Sequence, residues 1–488
     1  METFNKRQKN FQKFDTEKNS EKRHKFAIDL RKSKRKAHIE KMRDKFTPST
    51  NKYPIDAYMG PTDSSEELDN DFEEMELDTH EMIEALKNPY IQNHQEMLER
   101  LNAHIMQYPI LREEQSISEL INLIIPFTSP NTNIELRSVV YCIICNIASG
   151  SSTSTDMLLQ AQVIPLVFKE LENQQKDLYE NLFWILGNLM SENQEIFFEI
   201  INKNFFQIAL RCVTEDLNLP SLQIIGWTLK NAAHYENLLQ DKDIDDILEI
   251  SGKLLNSPYN LVKTEIIQCL AVVARNDEKK ILKIIETKLL HKCLDMWEID
   301  DLRLDILKLS ANISCGSDDF LQVLIELNIL DLLDQVLISN KKNEEIVQAF
   351  FILCNIAAGN PNQILILIKH PIFLKSLNGI LSNEEQIQKE AAYYIFNLTI
   401  TCKKETLEYL FSIHYLKKIS QALEHIILSE CILHLLNAYE KICSIADIEN
   451  LYKEGCYMIL DRLQTHNNPE VYSKCVNILE NYYEIFEN

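Results

Sequence analysis

One short phrase recurs along the chain and constrains its fold more than any other feature. The copies read CIICNIASG, WILGNLMSE, WTLKNAAHY, LSANISCGS, FILCNIAAG and YIFNLTITC, and the asparagine of each serves as a ruler. Asn146, Asn188, Asn231, Asn312, Asn355 and Asn397 are separated by 42, 43, 81, 43 and 42 residues. The gap of 81 is two periods, which places a missing copy at QCLAVVARND, around Val273. A unit of this length holds two or three helices and cannot bury its apolar face alone, so successive copies must stack and share one extended core.

A chain of 488 residues is too long for one ordinary core, a difficulty that an array growing in one direction removes. Nine Gly and thirteen Pro leave little material for tight β-turns, whereas Leu, Ile, Glu, Lys, Asn and Gln suit long polar-faced helices. The period lies in the range of armadillo and HEAT repeats, so the expected fold is an all-α solenoid of about ten repeats. Its inner surface would be built from the same helix of every repeat, making one repeat position a ladder along a concave groove. This reading covers residues 79–488, with the last repeat at about 448–488. Residues 47–78 carry Pro48, Pro54, Gly60 and Pro61 and then the run TDSSEELDNDFEEMELD, the composition of a solvated acidic linker. Residues 1–46 offer few apolar contacts in their basic second half, Phe26, Leu30, Ile39 and Met42 among them, too few to hold a free helix, so disorder that folds on a partner is expected.

Charge is divided unevenly between these parts. Residues 1–46 hold 16 Lys+Arg against 7 Asp+Glu, a balance of +9, and the total of −23 therefore leaves −32 for residues 47–488. Such an acidic body repels nucleic acid and membrane phosphates and draws in basic peptides. No apolar run reaches the ~18–20 residues of a membrane span, and the N-terminus lacks a secretory segment, so a soluble intracellular protein is expected. The twelve cysteines show no disulfide-framework spacing and read mostly as small buried hydrophobes.

In four copies an aromatic stands four residues before the asparagine, and so on the same helix face: Trp184, Trp227, Phe351 and Tyr393. A lone aromatic at such spacing is more often core than site. The paired amide shifts the reading, because a short polar side chain is a poor core residue and its recurrence implies an exposed face with a shared task. Holding an extended basic peptide fits that task. Carboxamides bond a peptide backbone whatever its sequence, and aromatic faces sandwich lysine or arginine stems at about 0.5–2 kcal/mol each.

The W-x-x-x-N pairs, the phrase NIASG at 146–150, EGCYMILDRLQTHNNPEVYSKCVNILENYY at 454–483 and LRKSKR at 30–35 together resemble the importin alpha family. The resemblance implies a right-handed armadillo solenoid that carries basic nuclear localisation signals and performs no catalysis. By the same resemblance Asn146, Trp184, Asn188, Trp227 and Asn231 would line a major groove, and Gly150, Thr155 and Glu192 would form the pocket for its most deeply bound lysine. Asn312, Phe351, Asn355, Glu390, Tyr393 and Asn397 would line a minor groove, with Lys308 beside Asn312 where the family has arginine. Lys22, Arg23, Leu30, Arg31, Lys32, Lys34 and Arg35 would dock on importin beta, and the C-terminal repeats on an export receptor with Ran-GTP, in a protein shuttling between cytoplasm and nucleus.

Several residues depart from the family pattern. Cys142 replaces the first major-groove tryptophan, Ile266 and Gln348 replace acids, and Phe351 and Tyr393 replace tryptophans that host cations better. The second basic cluster, KMRDK at 41–45, is interrupted by Met42 and Asp44, which weakens the case for self-inhibition of the groove by the arm. Taken alone, a run such as KSKRK is most often merely solvated, with contact to nucleic acid or anionic lipid as alternatives. Cys142-x-x-Cys145 lies within a helical repeat with no second pair nearby, no phosphate-binding or H-E-x-x-H motif occurs, and the acidic run lacks the alternation of a calcium loop, so no catalytic residue, metal or cofactor is expected. The alternative to an import adaptor is a general armadillo-repeat interaction scaffold that has lost peptide transport.

Overall fold

The computed structural model describes residues 82–87, 94–107, 114–235, 237–275, 277–338, 342–401, 404–444 and 457–483. The basic arm, the acidic linker and the importin-beta-binding expectations on Lys22, Arg23, Leu30, Arg31, Lys32, Lys34 and Arg35 lie outside the described residues. Every regular element among the described residues is helical, mostly in sets of two short helices followed by a longer one. The long helices, of which α1 to α3 and α5 to α7 carry the repeated phrase, are α1 Ile134–Ala148, α2 Tyr179–Met190, α3 Leu219–Ala233, α4 Asn260–Val273, α5 Asp300–Ser314, α6 Asn343–Ala357, α7 Glu385–Thr401, α8 Ser429–Cys443 and α9 Pro469–Tyr482. The fold is an armadillo-repeat solenoid, all-α as the period requires.

Local sequence explains where these helices start. Asn133, Ser151, Asn193, Asn218, Asp277 and Asn468 each accept a bond from a backbone N–H in the first turn that follows, relieving donors that have no intrahelical partner. Between the two short helices the chain turns through a left-handed residue: Gln162, Asn204, Lys288, Asn328 or His414, each with φ between 56° and 59°. With so few glycines available, these turns fall to ordinary side chains, and the packing of the helices on either side must hold them there.

Two compact units divide the chain, one reaching Cys269 and the other beginning at Leu270. In the first, α1 packs on α2 and α2 on α3; in the second, α5 packs on α6, α6 on α7, α7 on α8 and α8 on α9. Each core is built from aliphatic and aromatic side chains of adjacent repeats, such as Phe183 against Phe205 in the first unit and Phe350 against Tyr394 in the second. Of the ten described cysteines nine are buried, and none of the ten is joined in a disulfide. Burial pushes the thiols of Cys142 and Cys431 up to about 11 and those of Cys269, Cys293 and Cys475 up to about 12, so they behave as small apolar residues rather than nucleophiles.

Candidate functional site

The ladder asparagines first serve the scaffold. Nδ2 of Asn188 donates to the carbonyl of Cys145 at 3.4 Å, that of Asn231 to Gly187 at 3.2 Å, and that of Asn397 to Cys354 at 3.3 Å. In each case the acceptor is the residue directly before the preceding asparagine, so one carboxamide staples each repeat to the one before. Asn355 instead reaches Ser314 Oγ at 2.8 Å, and Asn146 reaches Asn102 Oδ1 at 3.4 Å. Asn102 therefore extends the ladder by one repeat. Its spacing of 44 from Asn146 was visible in the sequence, but Leu98 occupies the aromatic place and hides it.

The same bond corrects the register of the missing rung. Asn312 Nδ2 donates to Ala271 O at 2.6 Å, which makes Val272, not Val273, the residue in the asparagine place. A period that fluctuates by a residue cannot resolve this; a hydrogen bond can. The aromatic place of that rung is then Gln268, and the acidic place, seven residues before the asparagine as Glu390 is before Asn397, is Glu265 and not Ile266.

Exposure divides the expected site residues. Asn146, Asn312, Asn355 and Asn397 are half-buried, as are Trp184, Phe351, Tyr393, Glu192 and Glu390, whereas Asn188 and Asn231 are 1% and 8% exposed. The ladder is thus not exposed along its whole length, and the inter-repeat bonding is the physical reason that a short amide is tolerated inside. Trp227 is only 1% exposed. It lies against Gly187 of the preceding ladder helix, where a Cβ would come within 2.2 Å of its ring, so the absence of a side chain there lets the indole sink into the core. Cys142, in the aromatic place of α1, is buried as well.

Around the expected lysine pocket, Gly150 is exposed and Thr155 is 1% exposed. Glu192 accepts a short bond from Ser152 Oγ, which brings the carboxylate over the start of the helix Ser152–Gln160. Trp184 stands two turns before Glu192 on the same ladder segment, so an aromatic face and an acid are carried by one repeat. On α7 and α8, Tyr393, Phe396 and His434 form a ring cluster with centroids 5.3–6.1 Å apart. Burial lowers the pKa of His434, against the opposing charge of Glu430, and burial raises that of Glu390, assisted by Glu430. Lys308 is exposed. Among the described residues no group of His, Cys, Asp and Glu is arranged to hold a metal ion.

No protein-family model matches the chain. Among curated proteins it is similar to importin subunit alpha-1b of Oryza sativa subsp. japonica, 24% identical over 353 residues, covering 69% of this chain and 66% of that protein. It is also similar to importin subunit alpha-6 of Arabidopsis thaliana, 22% identical over 265 residues, covering 53% and 47%. The matches thus span just under two thirds of the first relative and about half of the second. An engineered protein of known structure superposes with a TM-score of 0.67 at 19% identity, covering 83% of this chain and 98% of that one. A designed armadillo repeat protein superposes over 47% of this chain and 97% of its own with a TM-score of 0.42 at 25% identity. The chain is an armadillo-repeat protein whose curated relatives are importin alpha subunits.

Proposed function

We propose that this chain is a nuclear import adaptor: it binds basic localisation peptides along its ladder helices and links them to importin beta through residues 1–46. Cargo would be held by Trp184 and Glu192 with Asn146, and at a second stretch by Phe351, Tyr393 and Glu390 with Asn312, Asn355 and Asn397. The export receptor with Ran-GTP would return the emptied chain to the cytoplasm through the C-terminal repeats, completing a shuttle between cytoplasm and nucleus. The proposal assigns the chain no catalytic step, no nucleic-acid contact and no membrane contact.

The observation that carries this reading is the pairing, on one repeat, of a half-buried tryptophan with a carboxylate beside a backbone-stapled asparagine. An aromatic face attracts a cation, the carboxylate receives its charge, and a rigid scaffold lowers the cost of ordering the contact. The body's charge of −32 adds long-range attraction for the same ligand. A second reading, an armadillo-repeat scaffold that has lost transport, draws support from the buried Trp227 and from Cys142 and Gln268 in aromatic places.

The two readings differ in division of labour. Removing residues 1–46 from the adaptor abolishes binding to importin beta and leaves binding of a lysine-rich peptide intact or stronger. A pull-down with importin beta and a peptide titration on the same preparation check this; importin-beta binding that survives the deletion sinks the adaptor reading.

A further inference from the structure

The rung that lacks its asparagine has a chemistry of its own. Its acid, Glu265, and the residue in its aromatic place, Gln268, are both engaged by Lys230 of α3: Nζ donates to Glu265 Oε2 in a short bond and to Gln268 Oε1 at 2.7 Å. Lys230 and Glu265 are each 5% exposed. Lys230 occupies the place directly before the ladder asparagine, which is small or apolar in the other rungs, from Cys145 and Gly187 to Cys354 and Phe396. The approach is built into the backbone, since a Cβ at Gly226 would stand 3.2 Å from Glu265 Cβ.

We infer that Lys230 is a built-in substitute for a ligand cation, filling the acidic slot of this rung and thereby setting where the basic-peptide site on α1 to α3 ends. The inference rests on the peptide-binding reading above. In the repeat of α2 an incoming lysine meets the Trp184 indole face and the Glu192 carboxylate; at α4 it meets Gln268 and a carboxylate whose charge is already matched. To use Glu265 it would have to displace Lys230, whose ammonium would then remain buried without its counter-ion, a cost that one new ion pair does not recover. A basic side chain lying over this rung therefore adds nothing to affinity.

The test uses the full chain and two fluorescent peptides, a short lysine-rich core and the same core lengthened with lysine at both ends, titrated by polarisation at moderate salt. Gln268→Glu places a second carboxylate beside the ammonium while leaving the buried pair intact, so one acid is in excess of the internal lysine. The lengthened peptide is expected to bind this variant roughly three- to tenfold tighter than wild type, the worth of one half-buried ion pair, while the core peptide gains less than about twofold, being too short to reach the rung. Lys230→Met is expected to give a similar selective gain, which Lys230→Met with Glu265→Gln loses; should Lys230→Met unfold, Gln268→Glu decides alone. Equal binding of the lengthened peptide to wild type and Gln268→Glu, with the core peptide bound by both, overturns the role of Lys230. Failure of the core peptide to bind wild type overturns the peptide-binding reading and the inference with it.

Discussion

Replacing Gly187 by alanine sets two physical effects against each other. Gly187 lies inside α2, where alanine is favoured over glycine by up to about 1 kcal/mol through backbone entropy alone. Its Cβ, however, would lie 2.2 Å from Cζ3 and 2.9 Å from Cε3 of Trp227, and 3.1 Å from Thr228 Oγ1. Trp227 is 1% exposed and Thr228 fully buried, so neither has free space to move into. Forcing a methyl into such packing costs about 1–3 kcal/mol, and a contact this short against a rigid ring belongs at or above the upper end. Any shift of α3 would also strain the Asn231 bond to the Gly187 carbonyl. The expected net effect of Gly187→Ala is a destabilisation of about 2 kcal/mol, relieved in the double variant Gly187→Ala, Trp227→Leu. Urea unfolding followed by tryptophan emission and by circular dichroism reads it. A neutral or stabilising Gly187→Ala would mean that helix propensity decides the outcome and that Trp227 is not held in the packed position.

Two further outcomes follow from the same geometry. Asn231→Ala removes bonds to the Gly187 carbonyl and Ser191 Oγ, while the carbonyl keeps the bond it accepts from Ser191 Oγ, so a loss of about 0.5–1.5 kcal/mol is expected in urea unfolding; an unchanged stability would deny the stapling role. Burial lowers the His434 pKa below 6.5, so the unfolded chain binds that proton more readily, and stability from this group is present above 6.5 and lost as pH falls through the interval down to the folded value. Glu430 is the charge that acts on His434, opposing the effect of burial, and it acts on Glu390 as well. His434→Phe should flatten the stability profile in that interval in pH-dependent thermal melts, and an unchanged slope would argue against it.

The helical class and the ladder were legible because a short amide recurring at a period near 42, in a chain with so few glycines, fits stacked helical repeats and little else. What escaped sequence reasoning lies in the contacts between repeats. The sinking of Trp227 is decided by Gly187, forty residues earlier, and nothing in the W-x-x-x-N pattern distinguishes it from the half-buried Trp184. The register at Val272 and the identity of Glu265 as the acid depended on one hydrogen bond from Asn312, because the spacing between copies wavers by a residue. The stapling role of the asparagines was missed because exposure was inferred from polarity, and a buried amide is tolerated once a neighbouring carbonyl accepts from it.

Polarisation of a fluorescent lysine-rich peptide, titrated with the full chain at moderate salt and compared with Trp184→Ala, tests the central claim most directly. The account predicts saturable binding that weakens with added salt and falls at least about tenfold when the indole is removed, in keeping with a cation–π contact of up to about 2 kcal/mol. Absence of binding by several such peptides, or binding that Trp184→Ala leaves unchanged, would contradict it.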